Sequence, residues 1–340
     1  MTSLAEQATT AFNNGDLTSA SVLYKRLLDS GEDELVALNG LALVAYYQGD
    51  FPTALHHRTA QLAILRTQQR ESAMTGVLIN LGAILLQLGQ YADAIPYLDE
   101  ALTLTRQYQN DAHRALTLNL MGGIVMRQGD YEKACGHFEE SIAIHRQMQD
   151  VEQLAATLSN LGLTRLAIDM PDIAYQHLTE SLTLAHQLDN PRLLSSILAK
   201  MGQVLYKRGD LSAQTYLQES LTIRRNLEDT RHVIDSLSLL AIVTQQTDYL
   251  IEAMQLAIQL DNDPATLEVL VALAYHEAHQ GKFDRSAQIL ACVNTHPAKT
   301  DFTYPLYIQP LITQYALQLP SCDTENIVSF IHAILADFLA

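Results

Sequence analysis

The sequence of 340 residues has no tryptophan and only seven phenylalanines, so its core must be built mainly from smaller apolar side chains. Basic residues are also scarce. Lys and Arg number 21 against 38 Asp and Glu, and the formal net charge of −17 repels phosphate backbones and anionic lipid surfaces. Neither nucleic acid nor a membrane is therefore an expected partner. The three cysteines, Cys135, Cys292 and Cys322, form no C-x-x-C pair, so reduced thiols are the expected state. No apolar run approaches the roughly 18 residues a spanning helix needs, and the N-terminus has neither a basic start nor an apolar stretch, which points to a cytoplasmic location. The sequences G-x-x-x-x-G-K-(S/T), G-x-G-x-x-G and G-x-S-x-G do not occur, so phosphate cradles and nucleophile elbows have no support.

What the chain does have is periodicity. Hydrophobic residues make up 48% of it, with Leu and Ala prominent, and this favours helices. A pentad Leu-x-x-(Leu/Met)-Gly recurs at 40-residue spacing as Leu78, Leu81, Gly82; Leu118, Met121, Gly122; Leu158, Leu161, Gly162; and Leu198, Met201, Gly202. Seven residues after each pentad glycine a turn opens a second helix with Ala at a fixed offset: Gly89-Gln90-Tyr91 with Ala94, Gly129-Asp130-Tyr131 with Ala134, and Asp169-Met170-Pro171 with Ala174. Repeat six, at Gly209-Asp210-Leu211, is one residue shorter before its second-helix motif. Related turns begin at Gly15, Gly49 and Gly281, and a degenerate one is expected near Asp248. Asn110, Asp150, Asn190 (followed by Pro191) and Asp229 read as helix caps between repeats. At about 100° per residue the leucines and the pentad glycine share one stripe, and the glycine allows close approach of the second helix, whose Ala is expected to meet it.

The L-G, Gly-x-Tyr and Ala positions resemble the tetratricopeptide repeat over residues 1–291, with Leu in place of the signature Trp and without the closing Pro. The period resembles the long-helix variety of Pins-type scaffolds, kinesin light chains and bacterial regulator sensor domains. The resemblance implies an all-α, right-handed superhelical solenoid of about eight helix-turn-helix repeats, with turns near residues 15, 49, 89, 129, 169, 209, 248 and 281. Residues 292–340 break the pattern with Pro297, Pro305, Pro310 and Pro320 and with Phe302, Tyr304 and Tyr307. They resemble the tail that closes the repeat arrays of bacterial signal-transduction ATPases and LuxR-type regulators, and imply C-terminal capping helices. The last helix carries Ile327, Val328, Phe330, Ile331, Ile334, Leu335, Phe338 and Leu339 against Glu325 and Asp337. Apolar around most of its circumference, it needs cover from residues 302–307 or from a second subunit in a homodimer.

Catalytic readings are weak. His276 and His279 are three apart, where a helical zinc motif needs four. Cys135 and His137 point some 200° apart on a helix, and His56-His57 has no third ligand. No enzyme activity, metal or cofactor is expected.

With the turn glycine numbered 15, positions 4, 7, 8 and 11 form the packing stripe and positions 2, 6, 9 and 13 lie opposite; in tetratricopeptide arrays the latter line the concave groove. They include Gly40 and Tyr47 in repeat two; Gly76, Asn80 and Gln87 in repeat three; and Leu120, Gly123 and Arg127 in repeat four. Repeats five and six add Asn160 and Leu163, then Lys200, Gln203 and Lys207. The family's chaperone-tail carboxylate clamp is not supplied by any three consecutive repeats, and only the Asn half of the Pins-type Arg/Asn ladder is present. Residues 192–231 hold seven basic and four acidic side chains, while 232–281 hold seven acidic and none basic, so Lys200 and Lys207 make a local positive site within an acidic chain. The expected function is a non-enzymatic scaffold that binds a peptide segment of a partner, with an acidic group drawn to that site. The alternative is the sensor module of a bacterial signalling or transcription-control system, responding to a small effector or signalling peptide.

Overall fold

The computed structural model describes residues 2–260, 263–295 and 308–320, together with 333, 336 and 338. Every regular element among the described residues is helical, in seventeen helices. Sixteen form eight successive hairpins: α1 Leu4–Asn13 with α2 Leu17–Ser30, α3 Glu34–Tyr47 with α4 Phe51–Thr67, α5 Glu71–Gln87 with α6 Tyr91–Gln107, α7 Asp111–Arg127 with α8 Tyr131–Met148, α9 Val151–Ala167 with α10 Pro171–Ala185, α11 Pro191–Lys207 with α12 Ala213–Asn226, α13 Thr230–Thr244 with α14 Thr247–Leu260, and α15 Asp263–His279 with α16 Phe283–Thr295. A short α17, Gln309–Tyr315, comes after them. Two compact units divide the chain, residues 1–124 with 143–148 and residues 125–142 with 149–340.

The turn inside each hairpin needs one residue in left-handed backbone, where a Cβ costs about 1–2 kcal/mol. Gly89 takes it at φ 71°, with its N–H on the Leu86 carbonyl and the Gln90 N–H on the Leu85 carbonyl. Repeat five keeps the same pair of hydrogen bonds, from Asp169 to Leu166 and from Met170 to Arg165, with Asp169 at φ 59° in place of glycine. In repeat seven the left-handed turn residue is Gln245, φ 58°, three residues ahead of Asp248, which lies in the first turn of α14. Between hairpins, Asp150, Asn190 and Asp229 cap α9, α11 and α13 by accepting the N–H of Gln153, Leu193 and His232. Asn110 likewise accepts from His113 N–H at 3.0 Å.

The pentad glycines sit where helices touch: the expected Ala meets two of them through its backbone, the Ala174 carbonyl oxygen at 3.2 Å from a Cβ on Gly162 and that of Ala213 at 3.3 Å from one on Gly202, and a Leu side chain comes closer still. A Cβ on Gly82 would lie 2.4 Å from Leu98 Cδ2, one on Gly162 2.9 Å from Leu178 Cγ, and one on Gly202 2.6 Å from Leu217 Cγ. Ala94, Ala174 and Ala213 are fully buried one helical turn earlier, and the Leu at position 24 fills the space that the glycine leaves. The expectation of reduced thiols is corrected at Cys292, which is disulfide-bonded; Cys135 is free and buried. Residues 302–307 and most of the last helix, including Phe330, lie outside the described residues. Phe338 packs edge-on to His276 at 5.8 Å and joins the apolar cluster of α13–α16.

Candidate functional site

Helix packing separates the two faces of each first helix as the 3.6-residue period requires. In α5, Leu78, Leu81, Gly82 and Leu85 are buried, whereas Asn80 and Gln87 are exposed and Gly76 is half-buried. Two positions depart from that division. Gly40 is buried beneath the Tyr24 ring, which a Cβ would meet at 2.3 Å, and Leu163 is buried as well. Both therefore belong to the packing and not to an open face. Among the other candidates in the first unit, Tyr47 is 66% exposed and stacks edge-on with Phe12 and Tyr46. Leu120 is half-buried against the apolar clusters that contain Leu78 and Leu98.

The second unit brings its candidates into one polar cluster. Lys200, on α11, extends its ammonium to α9, where Nζ donates to Ser159 Oγ and Asn160 Oδ1, each at 2.8 Å. Burial, with the positive fields of Arg224 and Arg127, pushes the Lys200 ammonium down to about 8. No carboxylate lies within ion-pair distance of it among the described residues. Arg127 and Gln203 contribute buried polar atoms without hydrogen-bond partners, the Arg127 Nε–H and the Gln203 carbonyl oxygen. Lys207, about two turns further along α11, is exposed. The result is a patch of cations lacking a counter-charge, with amide groups beside them, and its chemistry suits an anionic group.

Beyond the repeats whose open faces the sequence assigns, Glu268 takes position 2 of repeat eight, and Asp235 stands thirteen residues before Asp248 in the shortened first helix of repeat seven. Arg231 bridges them: it pairs with Asp235 one turn away on α13 and reaches Glu268 on α15 through two bonds of 2.9 and 3.0 Å. Burial and the Asp235 charge hold Glu268 well above the usual carboxyl range. Burial opposes ionisation of Asp235, yet a hydrogen bond with Glu268 and the charges of Arg231 and Arg224 keep it low. The pair therefore divides its roles: Asp235 favours the charged form that balances Arg231, and Glu268 is biased toward the protonated form. The signal lies in the repeat numbering, since Glu268 stands thirteen residues before the Gly281 turn.

The residues considered for catalysis are otherwise engaged. Burial pushes the Cys135 thiol up, the opposite of nucleophile activation. His279 Nδ1 lies 2.8 Å from the Tyr275 carbonyl, and its ring meets Tyr315 edge-on. His56 and His57 stack on each other at 5.4 Å. Among the described residues no cluster of three or more His, Cys, Asp or Glu could hold a metal, and no helix is long and apolar enough to cross a membrane.

A sequence model of the tetratricopeptide repeat matches residues 73–147 and 113–187. No curated protein matches the chain. Among solved structures, the apo form of the quorum sensor NprR from B. thuringiensis is similar with a TM-score of 0.69 at 19% identity, over 86% of this chain and 85% of that one. A Rap protein complexed with competence and sporulation factor gives a TM-score of 0.68 at 14% identity, over 87% and 80%. The apo form of RapI gives 0.64 at 16%, over 74% and 93%. These likenesses establish the fold: an all-α array of tetratricopeptide type, resembling bacterial regulator domains.

Proposed function

We propose that this chain is a non-enzymatic scaffold that binds a peptide segment along the first-helix faces of its repeats, with an acidic group of the peptide held at Lys200. The observation that carries the reading is the uncompensated positive charge of Lys200 and Arg127 beside the unsatisfied Gln203 amide, on the face that packing leaves open. An incoming carboxylate would take the donors that Lys200, Arg127 and Lys207 offer, while Asn160 and Gln203 can hydrogen-bond peptide backbone. On the first unit's own helices, Asn80, Gln87, Tyr47 and Leu120 are a separate set of polar, aromatic and apolar groups of the kind an extended chain uses. The similar folds support the peptide class, for the solved structures include a Rap protein with competence and sporulation factor and NprR with its cognate peptide NprX.

That same likeness supports a second reading, in which peptide binding makes the chain a sensor in a bacterial regulatory system, because NprR is a quorum sensor. The two readings share the site and differ in the consequence of binding. Selection of short peptides from a displayed random library on the full chain tests the site. Enrichment of sequences bearing Asp, Glu or a free C-terminal carboxylate is expected; a selected set with no acidic preference would refute the Lys200 assignment.

A further inference from the structure

Buried charges in this protein are normally faced by opposite charge. Arg224 has Asp235, Asp229 and Glu268 in its field, and Glu277 has Lys282 at 3.3 Å and Arg285 at 3.8 Å. Apart from the Lys200 cluster, Arg58 departs from this pattern. It is 3% exposed, and no charged group acts on it. Its place in the repeat makes this stranger, because position 24 is the seat of the core residue that packs the hairpin: Tyr24, Leu98, Phe138, Leu178 and, in the shortened repeat six, Leu217. Repeat two alone of these six puts a cation there and surrounds it with amides. Arg58 Nη1 donates to Asn39 Oδ1 at 2.6 Å and to Gln61 Oε1 at 2.8 Å, and Gln61 Nε2 is held by the Leu35 carbonyl. Gln61 stands at position 27, where repeats three to six have Ala101, Ser141, Ser181 and Ser220.

A guanidinium has five N–H donors. Here Nη1 carries both bonds, and Nε and Nη2 find no acceptor among the described residues, yet neither is sealed from solvent. They form the edge that matches an oxyanion in bidentate geometry. Asn39, which accepts from Nη1, is itself half-buried. A buried, uncompensated charge costs several kcal/mol by desolvation, and a bound anion would offset that cost.

We propose that Arg58, oriented by Asn39 and Gln61, is the base of an anion site in repeat two that takes an oxyanion, either a carboxylate or a small inorganic phosphate. The site is separate from the Lys200 cluster and does not depend on it.

Thermal unfolding of the full chain, titrated with sodium acetate, sodium phosphate and, at matched ionic strength, sodium chloride, tests the assignment. A saturating rise of ~2–5 °C is expected with acetate or phosphate beyond that with chloride; acetate alone would identify a carboxylate site, phosphate alone a tetrahedral one. Arg58→Leu, which restores the residue that repeats three, five and six use, is expected to unfold at the same or a higher temperature in anion-free buffer and to lose the anion-dependent rise. Arg58→Lys should retain a smaller rise. An Arg58→Leu protein that unfolds earlier or fails to fold would show that Arg58 is a structural anchor and overturn the proposal. So would an anion response equal in wild type and variant, or no response in the wild type.

Discussion

Lys200 and Asn160 occupy position 6 of consecutive repeats, and the Lys200 ammonium donates to the Asn160 side-chain oxygen at 2.8 Å. The contact makes an adjacent pair of residues that are 40 apart in sequence, and it holds a positive charge half-buried with only neutral acceptors.

That charge sets a pH dependence. The folded Lys200 titrates near 8, below the ordinary 10.5 of the unfolded chain. Between these values the unfolded state binds more protons, so the Lys200 contribution to stability rises with pH across that window and the penalty is complete below about pH 8. Lys200→Met should remove this rise. Urea midpoints of wild type and variant from pH 7 to pH 10 should therefore diverge, the wild type gaining on the variant as pH increases.

The pentad glycines are expected to differ sharply from the open-face ones. Gly82→Ala places a Cβ against buried Leu98 and should cost about 1–3 kcal/mol. The cost should shrink in a Leu98→Ala background, since the two atoms compete for one space. Gly76, whose Cβ would meet nothing nearer than His113 Cε1 at 3.8 Å, should gain about 0.5–1 kcal/mol on replacement by Ala through helix propensity alone. Denaturant midpoints of wild type, Gly82→Ala, Leu98→Ala, the double variant and Gly76→Ala check this.

Much of the hairpin pattern was legible because each pentad repeats a physical requirement, a small residue opposite a buried Leu. Asp169 could be placed in its turn despite the missing glycine because the 40-residue phase located it. In repeat seven the phase points three residues too far along, because the first helix ends early at Thr244 and Gln245, a residue that helices favour, takes the left-handed position. The partners of Lys200 were hidden for a different reason: helical arithmetic assigns a face to each residue but not the direction a long side chain takes. Arg58 and Glu268 were missed although the same numbering exposes them, as polar residues at a core position and on the open face.

The shared proton in the last hairpins gives another expectation. Glu268 is held above its unfolded value, so its contribution to stability is present at low pH and is lost as pH rises through the folded value. Glu268→Gln, which mimics the protonated group, should leave stability at pH 7 within about 0.5 kcal/mol of wild type and flatten that loss. Asp235→Asn removes the carboxylate that balances Arg231 and should cost about 1–3 kcal/mol. Chemical denaturation at pH 5 and pH 8 separates the two.

The central claim is that an acidic ligand group meets the cations of repeats four and six. The decisive measurement is the affinity, by fluorescence anisotropy, of a library-selected acidic peptide for wild type and for the Lys200→Glu, Lys207→Glu double variant, at two salt concentrations and with helicity verified by circular dichroism. Binding to the variant is predicted to be weaker by about tenfold or more, with a flatter salt dependence. Equal affinity and equal salt dependence in a folded variant would contradict the claim.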